Sequence, residues 1–219
     1  MKKVYVPCTS GKDVAPVVLK SLKKLAGFER IGVLTTAQHL GRIEDVAKIL
    51  VANGKKPVLG GQVLGCNAVA ASRIEPGVDA FLYVGSGIFH PLAIAEMTDK
   101  PLFIANPYSN TVAELSSEDR TKRRTRRKAA VMGAAQARSF GILVSTKAGQ
   151  MNYSLALRLK KRIEAAGKTA FVFAGRELSP DRLLGYKVDA YVNTACPRLL
   201  DDFFDKPVIG PEELDYLFT

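Results

Sequence analysis

The chain repeats itself, and the repeat limits the architectures open to it. Ile31-Gly32-Val33-Leu34-Thr35-Thr36 is echoed by Phe140-Gly141-Ile142-Leu143-Val144-Ser145. An amphipathic helix pattern follows each copy. Ile43, Val46, Ala47 and Leu50 share one face before Gly54, and Leu155, Leu159 and Ile163 do so before Gly167. A second strand pattern comes next, Pro57-Val58-Leu59-Gly60 in one half and Ala170-Phe171-Val172-Phe173 in the other. Val78-Asp79-Ala80-Phe81 then meets Val188-Asp189-Ala190-Tyr191, and Asp99-Lys100-Pro101-Leu102-Phe103 meets Asp205-Lys206-Pro207-Val208-Ile209. Matches in one order, at an offset of about 106 to 113 positions, define an internal duplication.

Each copy reads strand, helix, strand, short connection, strand, short connection, strand. Short apolar strands without polar alternation suit a parallel sheet covered on both faces. The expected fold is therefore α/β: two repeated three-layer units with mainly four-stranded parallel sheets. The first spans residues 30–138 and includes a basic linking helix; the second spans 139–219. Residues 1–29 carry a strand (Val4-Tyr5-Val6), a turn at Pro7 and a helix from about Val14 to Leu25. That pattern matches the close of the first unit, Leu102-Phe103-Ile104, Pro107 and a helix leading into Phe140. The opening segment is thus expected to be the strand-helix end of a unit whose body is missing.

Composition narrows the function classes. At 219 residues, with 47% hydrophobic and 24% charged residues, the chain suits one large or two small globular domains. No window approaches the roughly 18 uncharged apolar residues of a membrane span. The start lacks the apolar stretch of a signal peptide, so a cytoplasmic location is expected. A formal charge of +11 favours anionic partners. Three cysteines, Cys8, Cys66 and Cys196, argue against a disulfide framework.

In open parallel sheets, ligands collect beyond the carboxyl ends of the strands. The segments expected there are Thr35 to His39, Gly61 to Asn67, Gly85 to Pro91, Ser145 to Gln150 and Thr194 to Arg198. Cys66 and Cys196 read either as small core hydrophobes or as soft thiolates for an iron–sulfur cluster. Gly85-Ser86-Gly87 suits a generic turn or close backbone approach to a nucleotide or carboxylate; His90 breaks the dinucleotide fingerprint. His39 and His90 read as structural histidines before acid–base catalysts, since no carboxylate pairs with either at a recognisable spacing. The run Lys122-Arg123-Arg124-Thr125-Arg126-Arg127-Lys128 reads as a solvated helix, capped by Ser116 or Ser117, or as a docking surface. Without interleaved aromatics, direct nucleic-acid binding is not favoured.

Five motifs together resemble the archaeal diphthamide synthase family, the 2-(3-amino-3-carboxypropyl)histidine synthases. They are Gly61-Gln62-Val63-Leu64-Gly65-Cys66-Asn67, Gly85-Ser86-Gly87-Ile88-Phe89-His90-Pro91-Leu92, Asn106-Pro107-Tyr108, Lys147-Ala148-Gly149-Gln150 and Ala195-Cys196-Pro197-Arg198. The resemblance runs from about residue 3 to the C-terminus. It implies three α/β units about a pseudo-threefold axis, each giving one cysteine to a 4Fe–4S cluster. It also implies that the cluster binds S-adenosylmethionine and that the released 3-amino-3-carboxypropyl radical adds to a histidine of elongation factor 2.

On this resemblance Cys66 and Cys196 match cluster ligands of the second and third units. Gln62, Gly85, Ser86, Gly87, Ser145 and Gln150 fall where the family's strand ends face S-adenosylmethionine, and no residue is singled out as catalytic. The family's first unit and its cysteine have no counterpart here. Cys8 aligns instead with Tyr108 of a closing motif and is the in-chain candidate for a third ligand. The alternative source is another chain, in a homodimer or heteromeric complex. Two further readings stand beside this one. One is a non-catalytic accessory or regulatory subunit docking through the basic helix. The other is a different reaction on the same scaffold, as in quinolinate synthase; the two cysteine motifs favour the first family.

Overall fold

The structure, a computed structural model, describes residue 6 and residues 8–218. The strand expected at Val4–Val6 and the Pro7 turn lie outside the described residues, apart from Val6, which is exposed. The chain divides into two compact units, one up to Arg120 and one from Thr121 onward.

The first unit opens with α1 (Ala15–Ser21), whose Val17 and Val18 are fully buried. The helix expected to run to Leu25 stops at Ser21, and the turns that follow are held by the Lys55 ammonium. Its Nζ donates to Leu25 O and Phe28 O at 2.8 Å each and to Ala26 O at 3.2 Å. Then come β1 (Arg30–Thr35), a 3-10 turn over Ala37–Arg42, α2 (Ile43–Ala52), β2 (Lys56–Gln62), α3 (Val69–Ile74) and β3 (Ala80–Val84). The unit closes with α4 (Phe89–Ala95), β4 (Leu102–Asn106) and β5 (Thr111–Glu114). Gly54 stops α2 in the left-handed region, at φ +74°, as its position predicts.

The sheet order is β2-β1-β3-β4-β5; the first four strands are parallel and β5 runs antiparallel to β4. Two of the connections read as bare links hold helices, α3 and α4. Adjacent parallel strands cannot be joined by a tight turn and need a crossover, which these helices supply. Strand β5 is an addition: Asn110, at φ +51°, turns the chain back after β4. One core layer gathers Val14, Val17, Val18, Val46 and Leu50 against Val33 and Leu82, and the other gathers Ala71, Ile94 and Leu115 against Leu34 and Phe81. Each fully buried Leu, Ile or Phe contributes about 1.5–3 kcal/mol, so both sheet faces stabilise the unit.

Helix α5 (Ser117–Ala135) leads onward from the first unit. Ser116 caps it, accepting the Asp119 N–H at 3.0 Å and donating to the Asp119 carboxylate at 2.7 Å. The second unit continues with β6 (Ser139–Ser145), α6 (Tyr153–Ala165), β7 (Thr169–Gly175), α7 (Pro180–Leu183), β8 (Ala190–Asn193) and β9 (Val208–Ile209). Its order, β7-β6-β8-β9, is all parallel and copies β2-β1-β3-β4.

The duplication extends to a carboxylate clamp. Asp79 accepts the backbone N–H groups of Arg30 (2.8 Å) and Glu29 (3.2 Å), and Asp189 accepts those of Ser139 (2.9 Å) and Arg138 (3.0 Å). Each ties the entry of its third strand to the start of its first.

The basic segment is not simply a solvated link. Arg123 pairs with Asp201 at 2.9 Å, and Arg127 pairs with Glu213. Arg126 donates to the main-chain carbonyls of Asp201 (2.7 Å) and Asp202, and its guanidinium lies 4.7 Å over the Phe203 ring. These three cations belong to the packing of the second unit, while Lys122 and Lys128 face solvent. Among the described residues, no helix is long and apolar enough to cross a membrane.

Candidate functional site

In the first unit the carboxyl ends of the parallel strands are drawn together by short bonds. Thr35 Oγ1 donates to Val84 O at 2.7 Å, and the Val63 N–H donates to Thr35 O at 2.8 Å. The β1–β2 register slips between Val33 and Leu34, and Gly61 adopts φ +81°, a conformation that disfavours any side chain. Past this irregularity the chain closes a tight turn, Leu64-Gly65-Cys66-Asn67. Reciprocal Leu64 and Asn67 backbone bonds of 3.0 Å hold it. Asn67 Oδ1 then accepts the Val69 N–H at 3.1 Å, launching α3. Cys66 stands on this turn, exposed and unpaired.

Gly65 is dictated by its neighbour, since a Cβ there would run into the Phe89 ring. The Gly85-Ser86-Gly87 loop is built the same way. The Gly85 N–H donates to Ala105 O at 3.0 Å, a Gly85 Cβ would sit 2.6 Å from the Tyr83 hydroxyl, and Gly87 has φ +74°. Tyr83 is fully buried, its hydroxyl has no hydrogen-bond partner among the described residues, and burial raises its pKa. Its ring stacks on His90 with centroids 6.0 Å apart.

Cys8 is exposed and lies two residues before Ser10. The Ser10 N–H donates to Gln38 O at 2.8 Å, and Ser10 Oγ accepts the Tyr108 hydroxyl at 3.1 Å. Gln38 follows β1 and Tyr108 follows β4, so the Cys8 segment runs along the same sheet edge as the Cys66 turn. Here too sits His39, buried, edge-on to Tyr108 at 5.5 Å, with no partner for Nδ1 among the described residues. Burial lowers the pKa of both His39 and His90, keeping each imidazole neutral near pH 7.

The second unit presents its own edge. Buried Ser145 donates to Gln150 Oε1 at 3.2 Å and accepts the Lys147 N–H at 3.1 Å, and Gly149 turns the loop at φ +79°. Asn193, also buried, donates Nδ2–H to the Cys196 carbonyl and accepts the Ala195 N–H through Oδ1, both at 2.9 Å. Thr194 is fixed to Leu143 O by its amide (3.0 Å) and its hydroxyl (2.8 Å). Cys196 is half-buried and precedes Pro197, which holds it extended at φ −74°, ψ 127°. Counted along the paired strands, Tyr83 occupies the place of Asn193, and Ser86 that of Cys196.

Gln62, Cys66, Gly85, Ser86 and Gly87 thus lie at strand ends of the first unit, and Ser145, Gln150 and Cys196 at those of the second. Tyr83, Asn193 and Arg73 are additions. Asn193 was visible in principle, because Asn three residues before a loop cysteine is a local main-chain clamp. Arg73 carries no sequence signal beyond its place one helix turn after Val69.

The donor set suits a soft metal cluster. Unpaired cysteine is ordinarily among the most buried residue types, yet none of these three is in an apolar core. Two stand on loops fixed by backbone bonds, which keeps a thiolate ligand in place at low entropic cost. Among the described residues, no three His, Cys, Asp or Glu side chains form a metal-holding group by themselves.

Comparison with known proteins bears on the same segments. The sequence model of the diphthamide synthesis proteins matches residues 1–219. The chain belongs to this family. A 2-(3-amino-3-carboxypropyl)histidine synthase of Pyrococcus horikoshii is 32% identical over 98% of this chain and 65% of its own length. The synthase of Methanocaldococcus jannaschii is 29% identical over 97% of this chain and 61% of its own. The crystal structure of Dph2 from Pyrococcus horikoshii with a 4Fe–4S cluster superposes with a TM-score of 0.85 at 30% identity, covering 96% of this chain and 63% of that one. The α/β fold expected from the repeat is the family's fold. The chain spans slightly less than two thirds of the length of these family members.

Proposed function

We propose that this chain works in the first step of diphthamide formation, the transfer of a 3-amino-3-carboxypropyl group from S-adenosylmethionine to a histidine of elongation factor 2. One observation carries the reading. Two unpaired cysteines stand outside the core on backbone-pinned loops at strand carboxyl ends, in a chain aligned along 98% of its length with a synthase of that name.

Cys66 and Cys196 would hold a 4Fe–4S cluster, with Cys8 as the in-chain candidate for a third thiolate. When bound, such a cluster supplies an open iron position and the electron that breaks a carbon–sulfur bond of S-adenosylmethionine. The protein's part is positional. The Leu64–Asn67 turn and the Asn193 clamp fix the ligating loops. Gly85 and Gly87 let the main chain approach a ligand without a Cβ in the way. Gln62, Ser86, Ser145 and Gln150 offer neutral donors and acceptors for amino and carboxylate groups; Ser145 already fixes the Gln150 side chain.

The test is anaerobic reconstitution of the full chain, reduction, and addition of S-adenosylmethionine with elongation factor 2 carrying its target histidine. Transfer of labelled aminocarboxypropyl group to that histidine is the expected result. A reduced cluster whose paramagnetic spectrum ignores S-adenosylmethionine would contradict the proposal. Docking by charge along α5 is disfavoured as a second reading, because Arg123, Arg126 and Arg127 are engaged within their own unit.

A further inference from the structure

A cleft of about 410 Å³ opens beside the Cys66 turn, lined by Gln62, Leu64, Asn67, Val69, Ala70 and Arg73. It lies at the carboxyl end of β2, the edge strand of its sheet, between the Cys66 turn and α3. The polar lining is rich in donors. Among the described residues the Arg73 guanidinium makes no ion pair or hydrogen bond, and the Gln62 amide makes none. Asn67 has engaged only its oxygen, leaving Nδ2–H free. Among the described residues, no acidic side chain lines the cleft. The remaining wall is apolar, and Leu64 and Val69 leave 47% and 42% of their surface open there.

We propose that this cleft binds a carboxylate carried on a short apolar stem, with Arg73 as its anchor. A planar guanidinium fork matches the two oxygens of a carboxylate, and Gln62 and Asn67 can donate to their remaining lone pairs. The lining offers one formal positive charge and no glycine-rich phosphate loop, which suits a single negative charge better than a phosphate dianion. The volume lies near the small end of ligand pockets, enough for an amino-acid-sized group. Leu64, Val69 and Ala70 would pack against the methylenes of the stem. Two sources share this chemistry: the free carboxylate of a small molecule and a glutamate side chain of a protein. The inference rests on reading the Cys66 strand end as the ligand edge of the unit, but it does not require the cluster.

The experiment is an NMR titration of the full-length chain without iron or sulfide, following the side-chain amide signals of Gln62 and Asn67. The probes are L-methionine, a capped glutamate and inorganic phosphate. Saturable shifts with L-methionine point to the small-molecule source, and with capped glutamate to the protein source. Either is expected to weaken at least about tenfold in Arg73→Gln, the loss of one charge-assisted pair, and less in Arg73→Lys. Arg73 is exposed, so both variants should fold as the parent does. Absence of saturation with both carboxylates, unchanged binding in Arg73→Gln, or tighter binding of phosphate would overturn the proposal. Iron loading measured separately on the parent and on Cys66→Ser tests the cluster reading alone, so the two can fail independently.

Discussion

Asn193 grips the main chain around Cys196 from both sides of its amide. Its Nδ2 donates to the Cys196 carbonyl and its Oδ1 accepts the Ala195 N–H, each at 2.9 Å. Asn193 is 4% exposed, so neither bond is exchanged freely with water. Asn193→Ala removes both and leaves the Ala195 N–H without its partner. The expected cost is about 2 kcal/mol in denaturant unfolding, together with faster loss of iron from reconstituted protein. Unchanged iron retention would separate this clamp from the metal site.

Tyr83 and Gly85 form a second coupled pair. A buried hydroxyl without a partner costs stability, so Tyr83→Phe should be neutral or stabilise by about 1 kcal/mol. Gly85→Ala should destabilise by about 2 kcal/mol through crowding against that hydroxyl and the ring that carries it. Combining the two should recover only part of the loss, because the ring carbons that Tyr83→Phe keeps would still lie 2.7 and 3.0 Å from the new Cβ; the remainder is readable in a double-mutant cycle by thermal or denaturant unfolding.

The repeat made the parallel sheets, helices α2 and α6 and the cysteine loops legible, because β1 and β6 share an apolar run that only a sheet covered on both faces tolerates; the order of the strands within each sheet was not. Helices α3 and α4, six and seven residues long, look like bare connections in the sequence, since so few residues show no clear helical period. Strand β5 is four residues of Thr, Val, Ala and Glu, equally compatible with a loop until β4 offers an edge to pair with. The third strands begin at Ala80 and Ala190, not two residues earlier; the preceding Asp keeps its N–H on the first strand and places its carboxylate on that strand's first amides. Composition suggested a solvated basic helix; the partners of its arginines lie some 75 to 86 residues further along, beyond any local pattern.

Those arginines give a graded prediction. Arg127 and Glu213 are 15% and 16% exposed, and Arg127→Ala leaves the carboxylate half-stranded. A loss of about 3 kcal/mol is expected in urea unfolding. Lys122→Ala and Lys128→Ala, on the solvent side, should change stability by no more than about 0.5 kcal/mol. Equal effects at all three positions would contradict the assignment of Arg127 to the core of its unit.

The repeated aspartate clamp predicts an acid response. Backbone and side-chain hydrogen bonds from Arg30 lower the pKa of Asp79 to about 2, and the Ser139 hydroxyl, with the Arg138 and Ser139 amides, lowers that of Asp189. A folded value below the unfolded one means each clamp contributes fully above about pH 4 and is lost as pH falls through the folded value. Carboxyl NMR should show Asp79 titrating near 2. A midpoint near 4 would show that the clamp is not populated in solution.

The most direct test of the account is iron and sulfide analysis, with visible absorption, of anaerobically reconstituted parent, Cys66→Ala and Cys196→Ala chains, with Cys8→Ala alongside to decide the third ligand. The account predicts about four irons and four sulfides per cluster in the parent, with absorption lost in Cys66→Ala and in Cys196→Ala alike. Less than about one iron per parent chain, or undiminished loading in either of those two variants, would contradict it.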